Sequence, residues 1–252
     1  MIIGMILYAC CFGVELTMDN ILTYYLYDQF DLKLTIAGLF GGLFGLMNLF
    51  SRALGGIVSD WAAKKYGMRG RLHVLFHSIF WGGVFCILMA LCKNSLLWTI
   101  LMMLIFSIFC QSACGTSYAV VPFISKRSLG VVSGFIGAGG NLGSVFTQFV
   151  FFTKESIPVY DGILYTGIFI ICGSLTTALY YFPMWGSMLT GPREGATEED
   201  YYMAEYTAEE RASGLADAAM KFANESKSQR GVKAGLEGAD LNKSDGAKVA
   251  ST

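Results

Sequence analysis

The sequence has little charge and little of what enzymes use for chemistry. Charged residues make up only 15% of the 252 residues, and the formal net charge is −1. Hydrophobic residues reach 54%, and the mean hydropathy is +0.51. So little charge excludes an ordinary water-soluble domain, which needs charged side chains over its surface. Because the net charge is close to zero, no nucleic acid is predicted as a partner.

Metal and thiol motifs are also scarce. None of the seven cysteines forms a Cys-x-x-Cys pair, and all lie in or beside apolar runs, so we interpret them as small buried side chains. His73 and His77 have the spacing of helical metal ligands, but no cysteine or carboxylate accompanies them. We therefore predict no metal, no cofactor and no catalytic residue, and we interpret the chain as something other than an enzyme.

Long apolar runs are what the sequence has in abundance. Six of them are long enough to cross the hydrocarbon core of a bilayer, which is about 30 Å thick. The predicted spans are about 1–27, 35–59, 72–91, 96–120, 129–152 and 163–182. They predict an all-α membrane protein, with a six-transmembrane-helix bundle over residues 1–187 that lies in the lipid bilayer.

The connections between the spans predict the orientation of the chain. The connection 60–71 holds four Lys or Arg residues and 122–128 holds two, whereas the other connections are less basic. Lys and Arg accumulate in cytosolic loops, so both basic connections are predicted to face the cytosol. With six spans, both termini of the segment then lie in the cytosol too.

The end of the chain, 188–252, has a different character and is predicted to be a cytosolic tail. Thr207 and Glu210 have the spacing of a capping box, which predicts a short helix at about 208–224. The rest of the tail is rich in Gly, Ser, Lys and Ala, and we predict that it is disordered.

Arg52 is a full charge in the inner half of a glycine-rich apolar run. A charge at this depth costs roughly 2.5–3.5 kcal/mol on insertion scales, so its side chain is expected to face a protein interior or an aqueous cavity. No carboxylate precedes Asp60 in this run, so a small anion is the simplest partner of Arg52. The alternative is a structural ion pair with an acid on another helix. Small or polar residues at helical spacing share its face, namely Gly41, Gly45, Asn48, Gly56 and Ser59.

The first span carries two carboxylates on one helix face. Glu15 and Asp19 are four residues apart, and Tyr8 and Phe12 share their face. Two carboxylates one turn apart inside a membrane repel each other, so each is a candidate to hold a proton. For Asp19, the alternative is a hydrated position near the outer surface.

The fifth span has two distinct faces. Gly139 and Gly143 form a Gly-x-x-x-Gly pair, which predicts a close approach of a neighbouring helix. The opposite face is small and polar and is predicted to look into a cavity; it consists of Ser133, Gly137, Asn141, Ser144 and Gln148.

Several segments resemble the nitrate/nitrite porters of the major facilitator superfamily. GFIGAGGNLGS at 134–144 is similar to the nitrate signature of helix 11 in that family, and GGIVSDWAAKKYGMRGR at 55–71 resembles the loop between helices 8 and 9. LYACCFG at 7–13 resembles helix 7. CFGVELTMDN and CQSACGTSYAVVPFISKRSLG are most similar to the high-affinity nitrate transporters of plants and algae.

The resemblance implies roles for individual residues. Arg52 stands where the family has the substrate arginine of helix 8, and Tyr8 and Phe12 stand where aromatic residues contact the anion. With the residues singled out above, the predicted substrate-binding set is Arg52, Tyr8, Phe12, Asn141, Gly137 and Gly140. Glu15 and Asp19 are the predicted proton-coupling residues, Gly139 and Gly143 the helix-packing residues, and Asp60, Arg69 and Arg71 the cytosolic gate loop.

The resemblance covers residues 1 to about 191 and implies only the last six of twelve helices. The partner arginine of helix 2 is absent, and in such porters the site lies between two six-helix halves. We therefore expect the chain to be half of a transporter, beginning at an internal methionine, with the N-terminal six-helix half as its partner. Relatives of this type also imply a single-span accessory protein.

The function predicted from the resemblance is uptake of nitrate across the plasma membrane, with nitrite as a second candidate substrate. The expected driving ion is the proton, with sodium as the alternative. Two other functions remain open from the residues alone. One is a major facilitator transporter of another small anion or of a sugar, with Arg52 serving a carboxylate. The other is a half-transporter that transports nothing and regulates full-length porters.

Overall fold

The computed structural model describes residues 1–225, and these are almost entirely helical. A π-helical turn covers Ala9–Gly13, and a two-stranded antiparallel ribbon pairs Tyr181 with Ser187 and Phe182 with Gly186. The α-helices are α1 Ile2–Tyr8, α2 Val14–Phe30, α3 Leu34–Leu46, α4 Asn48–Leu91, α5 Leu96–Val120, α6 Leu129–Phe152, α7 Val159–Ser174, α8 Glu198–Met203, α9 Ala208–Ala212 and α10 Asp217–Glu225. The strands are β1 Tyr181–Phe182 and β2 Gly186–Ser187, and short 3₁₀ turns cover Val121–Phe123 and Leu175–Leu179.

Five helical segments within the described residues are long and apolar enough to cross a membrane. This confirms the predicted all-α membrane bundle. The segments are Ile2–Phe30, Leu34–Leu91, Leu96–Phe123, Leu129–Phe152 and Val159–Leu179. At 58 residues, the second of them is long enough for two crossings.

The basic connection predicted at 60–71 is not a loop, because α4 runs through it. Gly67 alone leaves the helical region, with φ 65° and ψ −153°, a conformation that only glycine adopts without strain. Arg71 Nη1 lies 2.6 Å from Asp60 Oδ1 across this break. In a straight helix these two residues would be about 16 Å apart along the axis. The helix therefore turns back on itself at Gly67, which divides it into two arms, 48–66 and 68–91. The change of direction takes place at one residue, whereas the sequence predicted a connection of twelve residues.

The second predicted span, 35–59, is interrupted at Met47. α3 ends at Leu46 and α4 begins at Asn48, and the backbone of Met47 stays in the right-handed helical region with φ −58° and ψ −21°. The interruption is therefore a small irregularity in an otherwise helical path.

α2 packs one apolar face into the bundle. Four of its apolar residues at a spacing of four are fully buried: Val14, Met18, Leu22 and Leu26. In contrast, the outer faces of α4 and α6 carry exposed large apolar residues such as Leu49, Phe50, Val145 and Phe149. An apolar exterior around a packed interior suits helices that meet lipid or another apolar protein surface.

The predicted single helix at 208–224 is wrong in one respect. The capping box forms: the Thr207 hydroxyl accepts from the backbone N–H of Glu210, and the Glu210 carboxylate accepts from the backbone N–H of Thr207. However, α9 ends at Ala212. Gly214, with φ +81°, then interrupts the helical path between α9 and α10. α8 was not predicted. The predicted disorder falls beyond Glu225, outside the described residues.

The described part of the tail packs against the loop that follows α5. The guanidinium of Arg127 forms a bidentate pair with the carboxylate of Glu210, at 2.9 and 2.6 Å. The hydroxyl of Tyr202, a fully buried residue, donates to the carbonyl of Phe123 at 3.3 Å. The hydrogen bond from the Thr207 backbone, followed by the charge of Arg127, lowers the pKa of Glu210. These contacts attach residues 198–212 to the same end of the bundle as the α4 turn.

Candidate anion site

Arg52 forms an ion pair with Glu15 of the neighbouring helix α2. Its Nη2 donates to Glu15 Oε2 at 2.8 Å, and the Glu15 side chain is only 4% exposed. Asn48, one turn before Arg52 in α4, donates to the other carboxylate oxygen at 2.6 Å. Cys114 of α5 places its thiol 3.3 Å from Oε2. Three donors from two helices therefore hold one buried carboxylate.

Binding of a small anion by Arg52 stays a prediction. The structure contains the alternative, an ion pair with an acid on another helix. The spacing of residues along one helix does not show which residue of a second helix each of them meets.

The pairing with Glu15 leaves part of the Arg52 guanidinium without a partner. Nε is buried and has no hydrogen-bond acceptor among residues 1–225. The side chain as a whole is 38% exposed. A buried N–H group without an acceptor costs about 1–3 kcal/mol. Nε can therefore donate to one more oxygen acceptor while Nη2 stays paired with Glu15.

Aromatic rings lie beside the guanidinium. Cζ of Arg52 is 5.7 Å from the centroid of the Phe12 ring. Phe12 stacks on Tyr8 at 5.1 Å, and Tyr118 of α5 meets Tyr8 edge-on at 5.2 Å. The π-helical turn Ala9–Gly13 lies between Tyr8 and Val14 and contains Phe12. Such single π turns occur often at functional sites, where they shift the direction of side chains.

Of the predicted substrate residues on α6, Gly140 reaches this group and Asn141 does not. A Cβ atom on Gly140 would lie 2.7 Å from Phe12 Cδ1 and 2.9 Å from Tyr8 Cδ1, so the two rings rest against the α6 backbone. Asn141 is exposed and donates only to the carbonyl of Gly137, at 3.4 Å. Gly137 is nearest to Tyr118, whose hydroxyl would be 3.8 Å from an added Cβ.

The two predicted proton carriers have different surroundings. Glu15 lies inside the network described above. Asp19 is exposed, and its Oδ1 would be 3.4 Å from a Cβ on Gly45 of α3. The structure therefore brings Glu15 to Arg52 and leaves Asp19 about one helical turn away along α2.

The predicted gate residues hold the turn of α4. Arg71 pairs with Asp60, and its Nη1 also lies 3.3 Å from the hydroxyl of Ser59. Arg69 instead donates to the carbonyls of Met188 and Leu189, both at 2.9 Å. Two of the three gate residues therefore connect the arms of α4, and the third attaches the segment after β2.

Cys114 is a site residue that the sequence reasoning did not assign. It was interpreted as a buried apolar side chain, and it is buried, but its thiol contacts Glu15. Gln111 and Tyr118 share its face of α5 at spacings of three and four residues. The position of Cys114 within this polar stripe is the sequence feature that indicates a place beside polar groups.

Gly139 and Gly143 lie where α6 crosses the start of the chain. A Cβ atom on Gly139 would come within 2.7 Å of Met5 Cβ, and one on Gly143 within 2.5 Å of Ala9 Cβ. A Cβ atom on Gly13, one turn further along the same face as Ala9, would likewise lie 2.7 Å from the carbonyl oxygen of Gly140. The backbones therefore approach so closely that no side chain fits between them.

We expect Gly143→Leu to reduce the yield of folded protein severely, because a leucine cannot occupy this contact without separating the helices. Asn141→Ala is the matched control on the same helix, since Asn141 is exposed and should leave the yield unchanged. Fluorescence-detected size-exclusion chromatography measures both. A normal monodisperse peak for Gly143→Leu would contradict the packing described here.

No family model and no solved structure matches the chain. By sequence, it is 54% identical over 231 residues to Nitrate transporter 2.1 of Chlamydomonas reinhardtii, which covers 90% of this chain and 42% of that protein. It is 49% identical over 225 residues to High affinity nitrate transporter 2.5 of Arabidopsis thaliana, covering 89% of this chain and 45% of that protein.

A third relative is High-affinity nitrate transporter 2.3 of Oryza sativa subsp. japonica, 46% identical over 219 residues, with 87% of this chain and 42% of the relative covered. The chain thus spans less than half the length of the curated relatives it matches. Its apolar helices and these matches together identify an integral membrane protein. The chain belongs to the family of the high-affinity nitrate transporters of plants and algae, as its motifs predicted.

Proposed function

We propose that the chain is part of a transporter that carries nitrate across a membrane, and that Arg52 binds the anion. The observation that carries the proposal is the Arg52 guanidinium, which has a free Nε and lies beside the Phe12 ring. Nitrate is a planar monoanion with acceptor oxygens only. A guanidinium matches such an anion in its plane through parallel N–H···O bonds. The names of the relatives agree with this substrate.

Glu15 supports a coupled mechanism at the same site. Its carboxylate already occupies Nη2 of Arg52, so nitrate and an ionised Glu15 would place two negative charges on one guanidinium. A proton on Glu15 removes that repulsion. Nitrate binding and proton binding then favour each other, which is the requirement for symport.

Charge balance calls for more than one co-transported cation. Moving one charge against the membrane potential costs about 2.3 kcal/mol per 100 mV, and one proton with one nitrate is electrically neutral. Net movement of positive charge therefore needs a second proton or a sodium ion. Asp19, one turn from Glu15, is the second candidate carrier.

The remaining parts of the proposal concern the whole transporter. This chain supplies one six-helix half, equivalent to helices 7–12, and a second half completes the site from the other side, as in other transporters built from two repeats. The transporter lies in the plasma membrane with the α4 turn and the α5–α6 connection in the cytosol. Nitrite is a second substrate, and a single-span accessory protein is a further partner.

The test is uptake of ¹⁵N-nitrate by cells that lack their own nitrate transport and express the complete transporter containing this chain. We expect saturable uptake that nitrite inhibits more strongly than acetate or glucose, because nitrite is a small planar anion like nitrate, whereas acetate carries an additional methyl group and glucose has no charge. Cells expressing the 252 residues alone should take up no more than cells with an empty vector. Equal inhibition by acetate would mean that the substrate is a carboxylate, and uptake by the chain alone would exclude the second half as a requirement.

A further inference from the structure

A groove lies where α4 turns back on itself, away from the anion site. Its volume is about 560 Å³, within the range of pockets that take small-molecule ligands, roughly 300–1,000 Å³. Val58 and Trp61 line it from the first arm of α4, Val74 and His77 from the second, and Phe109 of α5 forms the remaining wall. Neither Arg52 nor Glu15 lines this groove.

The groove opens to the outside of the bundle. Trp61 and Tyr66, two of its lining residues, are 65% and 57% exposed. Both belong to an apolar helix that is long enough to cross a membrane. Trp and Tyr are enriched where membrane proteins pass from hydrocarbon to headgroup depth. The residues at the mouth of the groove are therefore of the types that membrane proteins place at the depth of the lipid headgroups.

The charges at the mouth are positive and in part uncommitted. Arg71 pairs with Asp60, and Arg69 binds two carbonyls. Lys64 and Lys65, by contrast, have no ion pair or side-chain hydrogen bond with any described residue. The ammonium of Lys65 lies 5.2 Å from the centroid of the Tyr66 ring, which lines the groove. An apolar cleft with the unpaired ammonium of Lys65 beside one of its lining rings is complementary to an anion that carries a hydrocarbon chain.

We propose that this groove binds one anionic phospholipid. An acyl chain lies against Val58, Val74 and Phe109, and the phosphodiester lies beside Lys65 at the turn of α4. The ammonium of Lys65 supplies the positive charge and the N–H donors to a phosphate oxygen. The site is independent of nitrate binding, since it shares no residue with the Arg52 network.

The test uses the purified 252-residue chain in detergent and native mass spectrometry with added dioleoyl phosphatidylglycerol or dioleoyl phosphatidylcholine. We expect phosphatidylglycerol to be retained more tightly. Lys65→Gln should lower that affinity about fivefold, the scale of one basic residue beside an anionic lipid. Lys93→Gln is the matched control, because its ammonium also lies over a tyrosine ring, at 3.6 Å from the centroid of Tyr160, but outside the groove. It should change nothing.

A second variant tests the apolar part. Val74→Trp fills the groove and should abolish retention of both lipids, with circular dichroism to verify that the helices are intact. Equal retention of the two lipids, or an unchanged affinity in Lys65→Gln, would overturn the proposal. Two further results would also overturn it. Displacement of phosphatidylglycerol by millimolar inorganic phosphate would indicate a free-anion site, and loss of the lipid on assembly with the second transporter half would indicate a protein segment as the occupant.

Discussion

Replacing Arg52 with lysine should raise the nitrate concentration for half-maximal uptake by tenfold or more. Lysine keeps the positive charge and can still reach Glu15, but it loses the planar fork and the Nε donor that is free in the structure. A hydrogen bond to a charged group contributes about 1.5–3 kcal/mol, and 1.4 kcal/mol corresponds to a factor of ten in affinity. The measurement is ¹⁵N-nitrate uptake over a range of concentrations, at equal surface expression, in the complete transporter.

Arg127→Lys provides the matched control. It also removes a guanidinium fork from a carboxylate, that of Glu210, but in the tail contact and not in the membrane. We expect wild-type uptake kinetics from it. Unchanged nitrate affinity in Arg52→Lys would remove Arg52 from the binding site and leave its pair with Glu15 as a structural contact.

Hydrophobicity and helical spacing predicted the fold class well, because both are properties of single segments. The six predicted apolar runs correspond to five membrane-length helical segments, two of the runs lying within Leu34–Leu91, and the capping residues Thr207 and Glu210 mark the start of α9 as expected. The mistakes lie at glycines. Gly67 turns a helix that continues through a basic stretch, and Gly214 ends one that composition would have continued. A change of direction at one residue depends on contacts such as Asp60 with Arg71, which are not visible in a hydropathy pattern.

The candidate site could be predicted one helix at a time but not across helices. The spacing of α2 places Glu15 on the face of Phe12, and the spacing of α4 places Asn48 on the face of Arg52. Both proved to belong to one network. The distance between the two helices is a tertiary property, and so the ion pair was considered only as an alternative. The cavity-facing role of Asn141 stays a prediction, since among the described residues its side chain is exposed and donates to the carbonyl of Gly137.

The pair between Glu15 and Arg52 makes the role of Glu15 testable apart from binding. A glutamine at this position is isosteric with a protonated glutamate. Its carbonyl oxygen can still accept from Arg52 Nη2 or from Asn48, but it can neither take up nor release a proton. Binding of nitrate and coupling to protons should therefore separate in this variant.

We expect Glu15→Gln to retain exchange of ¹⁵N-nitrate across proteoliposome membranes of the complete transporter when nitrate is present on both sides. Accumulation of nitrate driven by an imposed pH gradient should fall to the level of empty liposomes, because the variant cannot carry the proton that neutralises the site. Glu155→Gln, an exposed acid in the connection before α7, is the matched control and should accumulate nitrate normally. Asp19→Asn tests the second carrier in the same assay. If Glu15→Gln accumulates nitrate as well as the wild type does, the proton travels by another route, and Glu15 serves only to hold Arg52 in place.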